Sequence, residues 1–106
     1  MTAATSLRNK AQRLVQAQST QTLITSLTAL GPQIDEARET AQRTKNYDDA
    51  QALNLTRSWV VNELENRHPE ASAAVEQAFI DAETDEDMLA LDYDMLLIAA
   101  IVKAQR

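Results

Sequence analysis

The only histidine in this chain, His68, is the first candidate for a chemical role, because a histidine side chain titrates near neutrality and can act as a general base. It lies between Arg67 and Pro69, where a predicted helix ends, and a cation at the C-terminus of a helix stabilises that helix locally. No neighbouring acid makes a recognised metal-ligand spacing with His68, and the chain has no cysteine. We therefore interpret His68 as structural and expect a protein that is not an enzyme.

A second candidate is a calcium-binding loop, because Asp81, Glu83 and Asp85 alternate like the first three oxygen ligands of such a loop. The sixth position, where the loop requires glycine, is Glu86, so the pattern fails at its turn. Glycine-rich phosphate-binding loops are excluded as well, because Gly31 is the only glycine in the chain. The sequence therefore predicts no metal, no cofactor and no small-molecule substrate.

The stretch from Asp81 to Asp94 has seven acids in fourteen residues. Along a helix, this spacing gives one charge per ~3 Å, which matches one strand of DNA rather than the ~1.7 Å of the duplex. One hypothesis is that the stretch mimics a nucleic acid and blocks a host protein that binds nucleic acids. The other is that these acids stabilise the first turn of a helix and are solvated. Both interpretations stay open.

Charge is distributed unevenly along the chain. Residues 1–34 contain Arg8, Lys10 and Arg13 and no acid, whereas residues 63–106 contain eleven acids and three bases. Three cations supply only weak, salt-sensitive attraction to DNA, and the acidic half opposes it, so direct binding of nucleic acid is disfavoured. The complementary ends favour self-association instead. We expect a homodimer, and a host protein as a further partner.

The composition and spacing of the apolar residues predict an all-α fold, a compact bundle of five or six helices in a single domain, residues 1–106. Residues 1–18 form a basic amino-terminal helix, a candidate oligomerisation or partner-binding arm, and residues 19–106 form the helical core. The longest apolar run, residues 95–102, is much shorter than the ~20 residues that span a bilayer. We expect no membrane contact. The absence of cysteine fits a reducing compartment, and we expect the cytoplasm, or the host cytoplasm for a phage protein.

Two apolar stripes mark the amino-terminal helices. Leu7, Leu14 and Val15 belong to the first stripe, and the second stripe, in residues 23–30, lies almost opposite to it at 100° per residue. A break near residues 19–20 separates the two stripes, and Gly31 followed by proline predicts that the second helix ends at residue 30. The alternative is one long helix through residues 6–30 that packs on two sides.

Capping residues mark the later helices. The residue before a proline leaves the helical region, so the central helix ends near Arg67 and Pro69 begins the next one. Thr84 and Asp87 have the spacing of a capping box, and Asp92 has the position of a further cap.

The central helix also carries a resemblance. Residues 56–71, TRSWVVNELENRHPEA, with Leu23, Ile24 and Leu27 before them and Tyr93 and residues 96–97 after them, resemble small acidic helical proteins of actinobacterial phages and mobile elements. The resemblance covers about residues 20–104. It implies no established activity and no functional residue.

Together, these observations predict a non-catalytic protein–protein interaction module, an accessory or host-modulating protein of a phage or mobile element. The alternative is the acidic mimic of nucleic acid. The candidate partner-binding residues lie in the amino-terminal stripe and the acidic stretch; they are Leu7, Leu14, Val15, Asp81, Glu83, Asp85, Glu86 and Asp94.

Overall fold

The structure is a computed structural model that describes the backbone of residues 3–105 and the side chains of residues 9–105. Within this range the chain forms six α-helices and no strand, which confirms the predicted all-α fold. The helices are α1 (Ala3–Gln16), α2 (Thr20–Thr44), α3 (Asp48–Arg67), α4 (Pro69–Asp81), α5 (Asp85–Leu89) and α6 (Tyr93–Ala104). Contacts group the chain into two units, one ending at Leu64 and the other beginning at Glu65. The single domain stays a prediction.

The break between α1 and α2 lies where the sequence predicts it, and the alternative of one long helix is wrong. Ser19 has an extended backbone and caps α2, since its hydroxyl oxygen accepts a hydrogen bond from the Thr22 backbone N–H at 3.1 Å. The chain can therefore change direction between the two apolar stripes. On α1, Ala11 and Val15 are buried.

The predicted end of α2 at Leu30 is wrong, because the helix continues through Gly31 and Pro32 to Thr44. Besides Ile24, its buried residues follow one another at spacings of four, three, four and seven, across the proline; they are Leu23, Leu27, Leu30, Ile34 and Ala41. This single stripe buries apolar surface along the whole helix, and that gain offsets the cost of an internal proline.

Gly31 itself helps the helix to accept Pro32. A proline ring crowds the Cβ atom of the residue before it and pushes that residue out of the helical region. Gly31 has no Cβ atom, and its φ angle is not positive, so it stays helical. The glycine therefore relieves strain inside α2 instead of ending the helix.

A short loop joins α2 to α3. Lys45 ends α2 in the left-handed region at φ 62°, and its N–H donates to the Ala41 carbonyl at 2.8 Å. The Asn46 side-chain oxygen accepts the Asp48 N–H at 3.1 Å at the start of α3. Helix α2 lines one side of an open groove of about 470 Å³ next to this loop, and helix α3 lines the other side.

The second unit is built on α4 and α6, which pack against each other. Ala71 and Val75 of α4 and Leu97 and Ile101 of α6 are its buried residues. As predicted, α4 begins at Pro69. Among the helices in the described part of the chain, none is both long and apolar enough to span a membrane.

Replacing Pro32 with alanine is expected to raise the free energy of unfolding by about 1–3 kcal/mol, because alanine restores a backbone N–H donor and removes the ring from the preceding turn. Urea unfolding followed by Trp59 fluorescence measures this gain. The matched control is Gln33→Ala at the neighbouring exposed position, with an expected change within about 0.5 kcal/mol. Equal stabilities for the two variants would contradict our account of α2.

Candidate protein-interaction surface

A partly buried hydrogen-bond network connects three helices in the second unit. One carboxylate oxygen of Glu65, on the last turn of α3, accepts the Tyr93 hydroxyl at 2.7 Å and the Ser72 hydroxyl at 3.0 Å. Ser72 belongs to α4 and Tyr93 is the first residue of α6. Because hydrogen bonds to a carboxylate are charge-assisted, this network links the start of α6 to α4 and to the end of α3.

An aromatic contact joins the same helices further along. The rings of Phe79 and Tyr93 lie 6.0 Å apart between centroids, with planes inclined by 40°. This contact brings the last turn of α4 next to the first turn of α6. The chain between them therefore begins and ends at neighbouring points, and it must project from them as a loop.

Two side-chain caps shape this loop. The Thr84 hydroxyl oxygen accepts the Asp87 N–H at 3.0 Å and starts the short helix α5, and Asp92 accepts the Met95 N–H at 3.2 Å and starts α6. Both caps were predicted from the sequence, and both are confirmed. None of the residues of α5 is buried.

The loop and its borders expose large apolar side chains. Leu89 is 83% exposed, Ile80 is 73% exposed and Met95 is 55% exposed, and Met88 is exposed as well. They lie within residues 80–95, a stretch that has no lysine and no arginine. We call residues 80–95 the acidic–apolar segment. Exposed apolar side chains mark surfaces that bind other molecules where they form a contiguous patch, so this segment is a candidate for such a surface.

Most acids of the segment have a local role. Asp85, Glu86 and Asp87 occupy the first turn of α5, where negative charge is stabilising, and the caps and first turn of α6 account for Asp92 and Asp94.

Two acids have no such role. Asp81 is the last residue of α4, where a negative charge opposes the helix dipole, although it accepts a hydrogen bond from the Gln77 side chain at 2.8 Å. Glu83 is exposed in the loop. Helix stabilisation does not explain these two charges, which lie beside Ile80 in the chain.

The sequence-predicted partner-binding residues are divided between two places. In the first unit, Leu14 is 58% exposed, whereas Val15 is buried and faces away from solvent. The side chain of Leu7 lies outside the described residues. In the second unit, Asp94 is half-buried, and the remaining acids are exposed; these are Asp81, Glu83, Asp85 and Glu86. Their role in binding a partner stays a prediction.

Ile80 and Leu89 are functional candidates that the sequence analysis missed. The buried stripe of α4 centres on Ala71 and Val75, and Ile80 lies about 140° around the helix from Val75. That angle places Ile80 on the outer face and could have identified it. Leu89 gave no such signal, because α5 is too short to show a periodicity.

The residues considered for chemistry do not converge. His68 is half-buried between α3 and α4, and its side chain makes no capping hydrogen bond. Across the described residues, no group of three or more histidine, aspartate and glutamate side chains could hold a metal ion. The groove between α2 and α3 has Glu36 and Asp49 among its lining residues, and His68 lies outside it.

In comparisons with known proteins, no protein-family model, no curated protein and no solved structure matches this chain.

The Glu65 network predicts a loss of stability at alkaline pH. Burial, and then the hydrogen bond to the Glu65 carboxylate, raises the pKa of Tyr93 above its ordinary value of 10.0. The raised pKa means that Tyr93 contributes stability below pH ~10, and that this contribution is lost as the pH rises through its folded-state pKa. Urea unfolding between pH ~8 and ~11 measures the loss.

Tyr93→Phe is the matched variant, because it removes only the hydroxyl group. At neutral pH, we expect it to lower the free energy of unfolding by about 1–2 kcal/mol. Above pH ~10 the difference between the two proteins should shrink, since wild type alone loses the contribution of Tyr93. Tyr47 is present in both proteins, so its titration does not affect the difference between their free energies of unfolding. A difference that stays constant with pH would contradict the network.

Proposed function

We propose that this protein is a non-catalytic helical protein–protein interaction module and that its contact surface is the acidic–apolar segment. The observation that supports this most strongly is the exposure of Ile80 and Leu89 in the same segment as the exposed acids Asp81 and Glu83. Complete burial of one such apolar side chain stabilises a complex by about 1.5–3 kcal/mol, so two of them contribute a substantial part of the binding free energy and the charged contacts add to it.

The acidic charges in the segment define the chemistry of that partner. A base would have to come from the partner, because the segment has none of its own. Met88 and Met95 add flexible, polarisable side chains, which adapt to partners of different shape. A cationic amphipathic helix meets these requirements, because its apolar face covers Ile80 and Leu89 while its cations face the acids.

The sequence resemblance supports a further part of this proposal. Because this chain resembles small acidic helical proteins of phages and mobile elements, we propose that it is an accessory or host-modulating protein. It would act on a host protein in the host cytoplasm. The low content of reactive side chains, with one histidine and no cysteine, supports a role in binding without catalysis.

A second candidate function is mimicry of nucleic acid. The exposure of Asp81, Glu83, Asp85 and Glu86 favours it, because a decoy must present its charges to solvent. Exposed Ile80 and Leu89 weigh against it, since a phosphate backbone has no apolar groups for them to imitate. The two functions therefore differ in whether the apolar side chains contribute to binding.

A fluorescently labelled synthetic helix of leucine and lysine, with its leucines on one face, is expected to bind the segment. Replacing both apolar residues, Ile80→Ser with Leu89→Ser, should weaken binding at least about tenfold, because their burial drives the contact. Fluorescence anisotropy measures the affinity. The control is Leu55→Ser, which removes a half-exposed leucine of α3 in the first unit without changing the net charge, and should leave binding unchanged.

Mimicry makes the opposite prediction for the same variants. An oligo-arginine peptide, which has no apolar face, would bind as well as the leucine–lysine helix. Asp81→Asn with Glu83→Gln would then weaken both peptides, and the Ile80 and Leu89 variant would weaken neither. That result would favour mimicry of nucleic acid over the interaction module. If neither peptide binds to the wild-type protein, both proposed functions are contradicted.

A further inference from the structure

The outward face of α1 complements the acidic–apolar segment. Lys10, Arg13 and Leu14 are all exposed, and their spacings of three and four place them on one side of the helix. Val15 is buried on the other side.

The two surfaces match in both charge and polarity. No acid occurs in residues 1–34, and no base occurs in the acidic–apolar segment. Leu14 is 58% exposed on the basic side, and Ile80 and Leu89 are exposed on the acidic side. Each surface thus combines exposed apolar side chains with exposed charges of one sign close to them in the chain, and complementary charge favours contact between two such surfaces.

We infer that the partner of the acidic–apolar segment includes a second copy of this chain, with the outward face of α1 of one copy docked on the segment of the other. This inference rests on the proposed function of the segment. Leu14 packs against the exposed apolar side chains, and Lys10 and Arg13 face the two acids without a helix-stabilising role, Asp81 and Glu83.

The proposed contact joins two different surfaces, the outward face of α1 on one copy and the acidic–apolar segment on another. This determines how many copies can assemble. Each copy offers one α1 face and one segment, so two copies form a dimer with two reciprocal contacts or the contact repeats along a chain of copies. The association is expected to weaken with added salt, because exposed charges contribute to it. A single helix face is a small interface, so we expect association at high micromolar rather than nanomolar concentrations.

Sedimentation velocity of the full chain at increasing concentration tests the inference. Wild type is expected to associate, and Lys10→Glu with Arg13→Glu should weaken association at least about tenfold by replacing attraction with repulsion. Arg38→Glu with Arg43→Glu is the matched control. It makes the same change in net charge on exposed residues of α2, and like the first pair it alters one arginine in the last turn of a helix.

Mixing two impaired variants gives the sharper result. The α1 variant Lys10→Glu with Arg13→Glu keeps an intact segment, and the segment variant Ile80→Ser with Leu89→Ser keeps an intact α1. Each alone should be monomeric, whereas their mixture should form a 1:1 dimer through one restored contact. A mixture that associates no more strongly than either variant alone, at concentrations up to millimolar, would overturn the inference, because another surface would then mediate the self-association of wild type.

The leucine–lysine helix separates this inference from the proposed function. If that peptide binds the segment but wild type stays monomeric at millimolar concentration, self-association is wrong and the interaction module stands. If the peptide binds and also dissociates the wild-type assembly in proportion to the fraction of segments that it occupies, the proposed function and the self-association are both supported. Circular dichroism of each variant checks that the helices have formed.

Discussion

The carboxylate of Glu65 is the constraint on which the candidate surface depends. It accepts the hydroxyl groups of Ser72 and Tyr93 from two other helices, and Tyr93 also contacts Phe79. Since α4 and α6 are held together at this end, the residues between them leave and re-enter the helical pair at neighbouring points. None of the residues of α5, which lies in this loop, is buried. Leu89 is exposed because it lies in the loop, whereas Ile80 is exposed because it lies on the face of α4 that points away from the buried stripe.

Local rules predicted most helix boundaries correctly, because their causes lie within a few residues of each other. Ser19, Thr84 and Asp92 each cap a helix with their own side chain, and Pro69 begins one. The end of α2 was predicted wrongly because Gly31 was treated as a stop signal in isolation. The apolar residues on both sides of it form a single stripe, and its burial along twenty-five residues outweighs the local preference of a glycine and a proline.

The candidate surface was predicted only in part, again for a physical reason. Acids are visible in a sequence, so the stretch from Asp81 to Asp94 was identified, and the caps at Thr84 and Asp92 also located the helix starts that explain most of these charges. Tyr93 and Glu65 lie 28 residues apart, and no local pattern links them. The exposed apolar residues were missed because exposure depends on what packs nearby. Ile80 alone could have been recognised, since its angle on α4 differs from that of the buried stripe.

Methyl nuclear magnetic resonance of the full chain, during titration with the leucine–lysine helix, locates the contact surface directly. We expect the methyl signals of Ile80, Met88, Leu89 and Met95 to shift together with a single affinity, and the signal of Leu55 to stay in place. Shifts concentrated instead at Leu53, which lines the groove between α2 and α3, would contradict the assignment of the contact surface.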